Sequence, residues 1–185
     1  SASNIKIVDL RKNNLQGLQP VQIASIPCLN ELRLHECGLT KNDIQPLFSL
    51  LSAIGNIKIL SLRENNLQGL HPAQITPVHS LQELNLDECG LTNSDIRPLF
   101  SLLSAAGNIK IVGLRKSSFH GLQPVQITPI PSLNEMRLQE CGLTNSDIKP
   151  LFSLVSASNI KIVDLRKNNL QGLQPVHIVS IPCLN

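Results

Sequence analysis

Residues 81–91 read Leu81-Gln82-Glu83-Leu84-Asn85-Leu86-Asp87-Glu88-Cys89-Gly90-Leu91, the pattern L-x-x-L-x-L-x-x-C-x-L. Versions of it begin at Ile5, Leu29, Ile57, Leu81, Ile109, Leu133 and Ile160, with steps of 24, 28, 24, 28, 24 and 27 residues. A period in this range marks an array whose units bury a core only against their neighbours. Two unit types alternate. One carries asparagine in the cysteine column (Asn13, Asn65, Asn168) and the other cysteine (Cys37, Cys89, Cys141), while Ser117 breaks the column and should leave its loop less well held. Ser1 to Asn30 and Ser156 to Asn185 differ only at Gln22 against His177 and Ala24 against Val179, as recent internal duplication would leave them.

Side chains alternate across a strand, so Leu84 and Leu86 point to one face while Glu83, Asn85 and Asp87 point to the other. The spacing predicts one short strand per unit, stacked into a single parallel sheet. After each cysteine-type strand, Asp43, Asp95 and Asp147 are expected to cap helices, with Pro46, Pro98 and Pro150 tolerated in the first turn. Ile96, Leu99, Phe100 and Leu103 would form the inward stripe of one such helix. The other unit type runs Leu18, Pro20, Val21, Ile23, Ile26 and Pro27, too broken for a long helix, so an extended or 3₁₀ segment is expected there.

Across essentially its whole length the chain resembles a leucine-rich repeat protein. The cysteine-type units, with C-G-L-T-N-S-D-I-x-P-L-F-S-L-L, are similar to the ribonuclease-inhibitor-like subclass, which also serves intracellular immune receptors; the 24-residue units depart from it in being short and proline-rich. The resemblance implies an α/β solenoid, a curved right-handed horseshoe segment. Its parallel sheet would be concave, with helices alternating with extended or 3₁₀ segments on the convex side. It also implies that the asparagine and cysteine column satisfies loop backbone groups. Residues 1–185 form one solenoid unit without an internal boundary. The chain reads as starting and stopping mid-array, so Ile5, Val8, Leu10 and Leu184 would face nothing, and end-to-end self-association follows as an expectation.

Catalysis and cofactors find little support. His35, His71, His79, His120 and His177 occupy unrelated places in the repeat, and a surface position is expected for each. There is no C-x-x-C pair to hold a metal, and Gly17, Gly69, Gly121 and Gly172 recur as turn residues. Five cysteines with no N-x-[ST] sequon, no signal-like segment and no long apolar run point to a cytoplasmic protein without membrane contact. A net charge of +3 spread over interleaved acidic and basic rows argues against nucleic acid, which demands a concentrated basic stripe. With no Trp or Tyr, and Phe48, Phe100 and Phe152 assigned to the core, base-stacking platforms and aromatic interface anchors are missing as well.

What remains is the outward face of the strands. Its first column reads Ile7, Glu31, Ile59, Glu83, Ile111, Glu135, Ile162; its second, Asp9, Arg33, Ser61, Asn85, Gly113, Arg137, Asp164; its third, Arg11, His35, Arg63, Asp87, Arg115, Gln139, Arg166. The second column changes most between otherwise similar repeats, which suits recognition and relaxed constraint equally. The isoleucines could form an apolar stripe or pack on arginine stems. The arginines could meet an acidic partner or be neutralised by Glu36, Glu88 and Glu140. The expected function is a non-catalytic protein-binding module. Its candidate contacts are Ile7, Asp9, Arg11, Arg33, His35, Ile59, Ser61, Arg63, Asn85, Asp87, Ile111, Arg115, Arg137, Gln139, Ile162, Asp164 and Arg166. The alternative is a natural or engineered scaffold that stacks end to end without a dedicated ligand.

Overall fold

The computed structural model describes residues 4–17, 26–71, 75–119, 121, 128–156 and 158–173. Each unit contributes one three-residue strand: β1 (Ile7–Asp9), β2 (Glu31–Arg33), β3 (Ile59–Ser61), β4 (Glu83–Asn85), β5 (Ile111–Gly113), β6 (Glu135–Arg137) and β7 (Ile162–Asp164). Neighbours in sequence are neighbours in one parallel seven-stranded sheet. The register never slips: Ile7, Glu31, Ile59, Glu83, Ile111, Glu135 and Ile162 stand side by side. A one-residue slip would turn every core leucine to the outer face, and this fixes the register.

Three helices, α1 (Lys41–Ile54), α2 (Asn93–Ala106) and α3 (Asn145–Ser156), follow the cysteine-type strands. They begin earlier than expected. Thr40 and Thr92 are the N-caps of α1 and α2, and Asp43 and Asp95 stand three residues inside, taking up the cap residue's own N–H. The Asp43 carboxylate accepts from the Thr40 N–H and hydroxyl, both at 2.8 Å, and Asp147 treats Thr144 in the same way. An acidic residue there also suits the positive end of the helix. The prolines consequently sit inside the helices, beyond the first turn, where each removes one backbone donor. Gly55 and Gly107 close α1 and α2 in the left-handed conformation. The extended segments expected in the other units fall mostly at 18–25, 122–127 and 174–185, outside the described residues, as does Leu184.

The core is a continuous column of strand and helix side chains. Leu32, Leu60, Leu84, Val112 and Met136 are fully buried from the strands, and Ile44, Leu47, Leu51, Ile96, Leu99, Phe100 and Leu103 close it from the helices. Phe48 and Phe152 join them, as expected. Full burial of one such leucine stabilises by about 1.5–3 kcal/mol.

Polar side chains stitch the units together. The Asn65 Oδ1 accepts from the backbone N–H groups of Cys37 (3.1 Å) and Leu39 (3.0 Å), while its Nδ2 donates to Leu34 O and Leu62 O. Asn168 does the same for Cys141 and Leu143. The thiols of Cys37, Cys89 and Cys141 donate to Leu10 O, Leu62 O and Leu114 O, each at 3.1 Å. Burial pushes the Cys89 and Cys141 thiols up to about 12, so these groups are structural. Ser117 is buried with its hydroxyl unpartnered, the weak rung its sequence predicted.

Candidate functional site

Among the described residues no helix covers the face that the strands turn away from the core, and the three side-chain columns lie on it. The structure brings the candidate residues onto this one face but does not expose them equally. Ile7 and Ile162, on the outermost strands, are 51% and 55% exposed. Ile59 and Ile111 are half-buried, because each has a glutamate on both sides: Glu31 and Glu83 flank Ile59, Glu83 and Glu135 flank Ile111. The row of four exposed isoleucines is therefore reduced to two. Ser61, expected as a contact residue, is only 7% exposed.

The charges form a neutralising ladder. Arg33 bonds Glu31 at 2.6 Å and reaches Asp9 at 3.5 Å; Arg137 bonds Glu135 at 2.7 Å and reaches Glu83 at 3.5 Å. Arg11 and Arg166 fold back on Asp9 and Asp164 two residues earlier. The guanidinium hydrogen bonds hold both aspartates down to about 2. Glu88 receives Lys116 at 2.6 Å, Arg115 at 3.1 Å and Arg63 at 3.3 Å, and Glu140 receives Arg115 at 2.7 Å and Lys167 at 3.3 Å. Exposed pairs of this kind contribute about 0–1 kcal/mol each, so they shape the surface potential more than the stability.

The sequence offers these two glutamates as neutralising groups, but their role as hubs is not legible in it. They occupy a tight-turn position where every unit places a non-glycine residue in the left-handed region: Lys12, Glu36, Glu64, Glu88, Lys116, Glu140 and Lys167 have φ between 50° and 63°. That conformation swings the charge back over the sheet. The available signal was the recurrence of a charged residue immediately before the column position.

The second column also organises backbone. Asp9, Asn85 and Asp164 each accept the N–H two residues on. Gly113 cannot, and Asp87 from the neighbouring strand substitutes, accepting the Arg115 N–H at 2.8 Å. A Cβ on Gly113 would stand 2.8 Å from that same carboxylate oxygen, so glycine is what admits Asp87.

Of the histidines, His71 and His79 are exposed, whereas His120 and His177 lie outside the described residues. His35 departs from the surface position expected of it. It is half-buried, its Nε2 has no partner, and burial together with Arg11 and Arg63 lowers its pKa. Among the described residues no group of His, Cys, Asp and Glu could hold a metal ion, and no helix is long and apolar enough to cross a membrane.

The seven-fold repeat, the parallel sheet with one strand per unit, and the asparagine and cysteine rungs together define a leucine-rich-repeat solenoid. The chain is a leucine-rich-repeat protein. It is similar to the ribonuclease inhibitor of Sus scrofa, with 27% identity over 157 residues, 77% of this chain and 34% of that protein. It is also similar to the NACHT, LRR and PYD domains-containing protein 9C of Mus musculus, with 29% identity over 150 residues, 78% of this chain and 14% of that one. The chain thus spans about a third or less of the length of these relatives. Among solved structures, the TLR13 chain of a complex with single-stranded RNA 13 superposes with a TM-score of 0.59 at 19% identity, over 89% of this chain and 25% of that one. No family model matches the sequence.

Proposed function

We propose that this chain is a non-catalytic protein-recognition module that engages a protein ligand on the open, concave face of its sheet. The observation that carries this reading is the face itself. Seven in-register strands present three columns of mixed charged, polar and apolar side chains that no element among the described residues covers. The second column, which varies most, sits at its centre. Similarity to ribonuclease inhibitor and to NACHT- and LRR-containing proteins supports a ligand-recognition region of that kind. The interleaved carboxylates favour a protein over a polyphosphate strand, and a cytoplasmic setting accords with these relatives.

The test is quantitative affinity capture with three chains of matched circular dichroism: wild type, an open-face variant carrying Arg33→Glu and Arg137→Glu, and a helix-face variant carrying Arg97→Glu and Lys149→Glu. Proteins retained by wild type and by the helix-face variant, and lost by the open-face variant, are expected. Equal loss from both variants, or loss from the helix-face variant alone, refutes the assignment.

A second reading, end-to-end assembly as a scaffold, is favoured by the exposure of Ile5, Ile7 and Ile162 beside the outermost strands. It predicts that molar mass by light scattering grows with concentration in reducing buffer and falls when Ile7 and Ile162 are replaced by Lys. A constant mass contradicts it.

A further inference from the structure

The third column is not uniform. From β4 onward its arginines are separated by Asp87 and Gln139, but beside β1 to β3 it runs Arg11, His35, Arg63 without a carboxylate between them. The register places His35 between the two arginines, about 5 Å from each by strand spacing. Arg33 stands beneath His35 in the second column, with Ser61 opposite it. Four basic side chains thus share one corner of the face; within the second and third columns Asp9 and Asp87 flank them at its two sides, and Arg33 also pairs with Glu31.

The same corner holds unused hydrogen-bonding capacity. The Ser61 hydroxyl, His35 Nε2 and Arg63 Nε are each shielded and have no partner among the chain's own groups. Ser61 is more than nine-tenths buried. Buried polar groups left in this state are uncommon and call for a cause. Arg63 Nε can only donate, and the Ser61 hydroxyl and His35 Nε2 can donate as well, so an accepting group would satisfy all three. Arg63 is tethered only at its outer nitrogen, to Glu64 and Glu88, and its side chain is 39% exposed, so rotation of its stem opens the corner.

Building on the reading of this face as a recognition surface, we infer that the His35, Ser61 and Arg63 corner is the anchor point for a carboxylate side chain of a protein partner, an aspartate or glutamate inserted between the arginines. A single carboxylate accepts through two oxygens and matches the convergent donors. A phosphodiester strand fits less well. Continuing along the face in either direction it meets Asp9, Glu31, Glu64 and Glu88, and no aromatic ring is there to stack a base, since Phe48, Phe100, Phe119 and Phe152 are buried.

The charge environment adds a signature that a merely structural cluster would lack. His35 faces Asp9 and Arg11 from the β1 side and Arg63 and Glu64 from the β3 side, with Arg33 and Glu36 on its own segment. Burial and the neighbouring arginines hold it below the ordinary histidine value of 6.5. An entering carboxylate raises it again. Affinity for a carboxylate therefore gains from proton uptake below the free-state value, and the gain disappears as pH rises through the bound-state value.

The experiment follows the His35 ring resonances of the full chain while an acetylated, amidated peptide of alternating Glu and Ala is titrated to millimolar concentration. An oligothymidylate of equal charge is titrated in parallel. The peptide is expected to raise the His35 titration midpoint. Binding should weaken about tenfold in Arg63→Gln, and likewise in Ser61→Ala, which should itself unfold at higher denaturant because it loses a buried unpartnered hydroxyl, and binding should tighten toward low pH. Saturating peptide that leaves the His35 resonances unmoved, or binds both variants as well as wild type, overturns the proposal. So does tighter binding of the oligonucleotide. Perturbation confined to residues near Arg137 and Arg166 would sink this anchor and leave the open-face reading standing, whereas perturbation confined to the helices would sink both.

Discussion

Replacing Asn65 by Ser isolates what the asparagine rungs contribute. Asn65 is 4% exposed and bridges its own loop to that of the preceding unit. The substitution strands the backbone N–H groups of Cys37 and Leu39 and removes the donor to Leu34 O and Leu62 O. An unsatisfied buried donor costs about 1–3 kcal/mol, and carbonyls tolerate the loss better. With water recovering part of this from the exposed side of the turn, the expected destabilisation is about 2–4 kcal/mol. The chain supplies its own controls. Asn13 is exposed and its side chain donates only within its own loop, to Leu10 O and Arg11 O, so Asn13→Ser should cost less than about 1 kcal/mol. At the naturally broken rung, Ser117→Asn should recover about 1–2 kcal/mol, provided Phe119, bulkier than the Leu67 it replaces, leaves room. Because the chain has no Trp or Tyr, urea unfolding is best followed by far-ultraviolet circular dichroism. If Asn65→Ser falls within about 0.5 kcal/mol of Asn13→Ser, the rungs do not carry the inter-unit coupling assigned to them.

Other consequences can be checked separately. Glu36→Asn, at a position with φ of 50° and only a 3.6 Å contact to Lys12, should stabilise the fold by up to about 1 kcal/mol and so raise the urea midpoint, since asparagine accepts left-handed geometry with less strain; a lower midpoint would remove strain from the account. Gly113→Ala should displace Asp87 from the Arg115 N–H and cost about 1–2 kcal/mol, visible as faster hydrogen exchange at Arg115 and contradicted by unchanged exchange there. Asp164, depressed to about 2 by Arg166, gives a contribution that is complete above its unfolded value near 3.8 and disappears as pH falls through about 2; a carboxyl carbon titration with a midpoint near 4 would refute the pairing. In the folded chain at pH 8.5, iodoacetamide should label Cys28, which is exposed, and spare Cys89 and Cys141, with peptide mass spectrometry as the readout.

The repeat made much of this molecule legible in advance. Leu84 and Leu86 against Glu83, Asn85 and Asp87 is enough to place a strand and its buried side, and seven copies set the sheet, its order and its register. The helix starts were misplaced because Asp43, Asp95 and Asp147 look like caps in isolation. Only geometry shows the preceding threonine taking that role and pushing Pro46, Pro98 and Pro150 deeper into the helix. The face was legible as columns but not as a surface. Exposure of Ile7 against Ile59 depends on how many strands flank each. The tether of Arg63 to Glu88 depends on a left-handed turn that composition does not announce, and Asp87 filling the space above Gly113 is a contact between units that periodicity alone cannot register.

Hydrogen exchange of the chain with and without a protein recovered by affinity capture tests recognition through the open face most directly. Slowed exchange at residues 31–36, 59–64 and 111–115, with α1 and α2 unchanged, is the predicted result. Protection confined to 41–54 and 93–106, leaving the strands untouched, would contradict it.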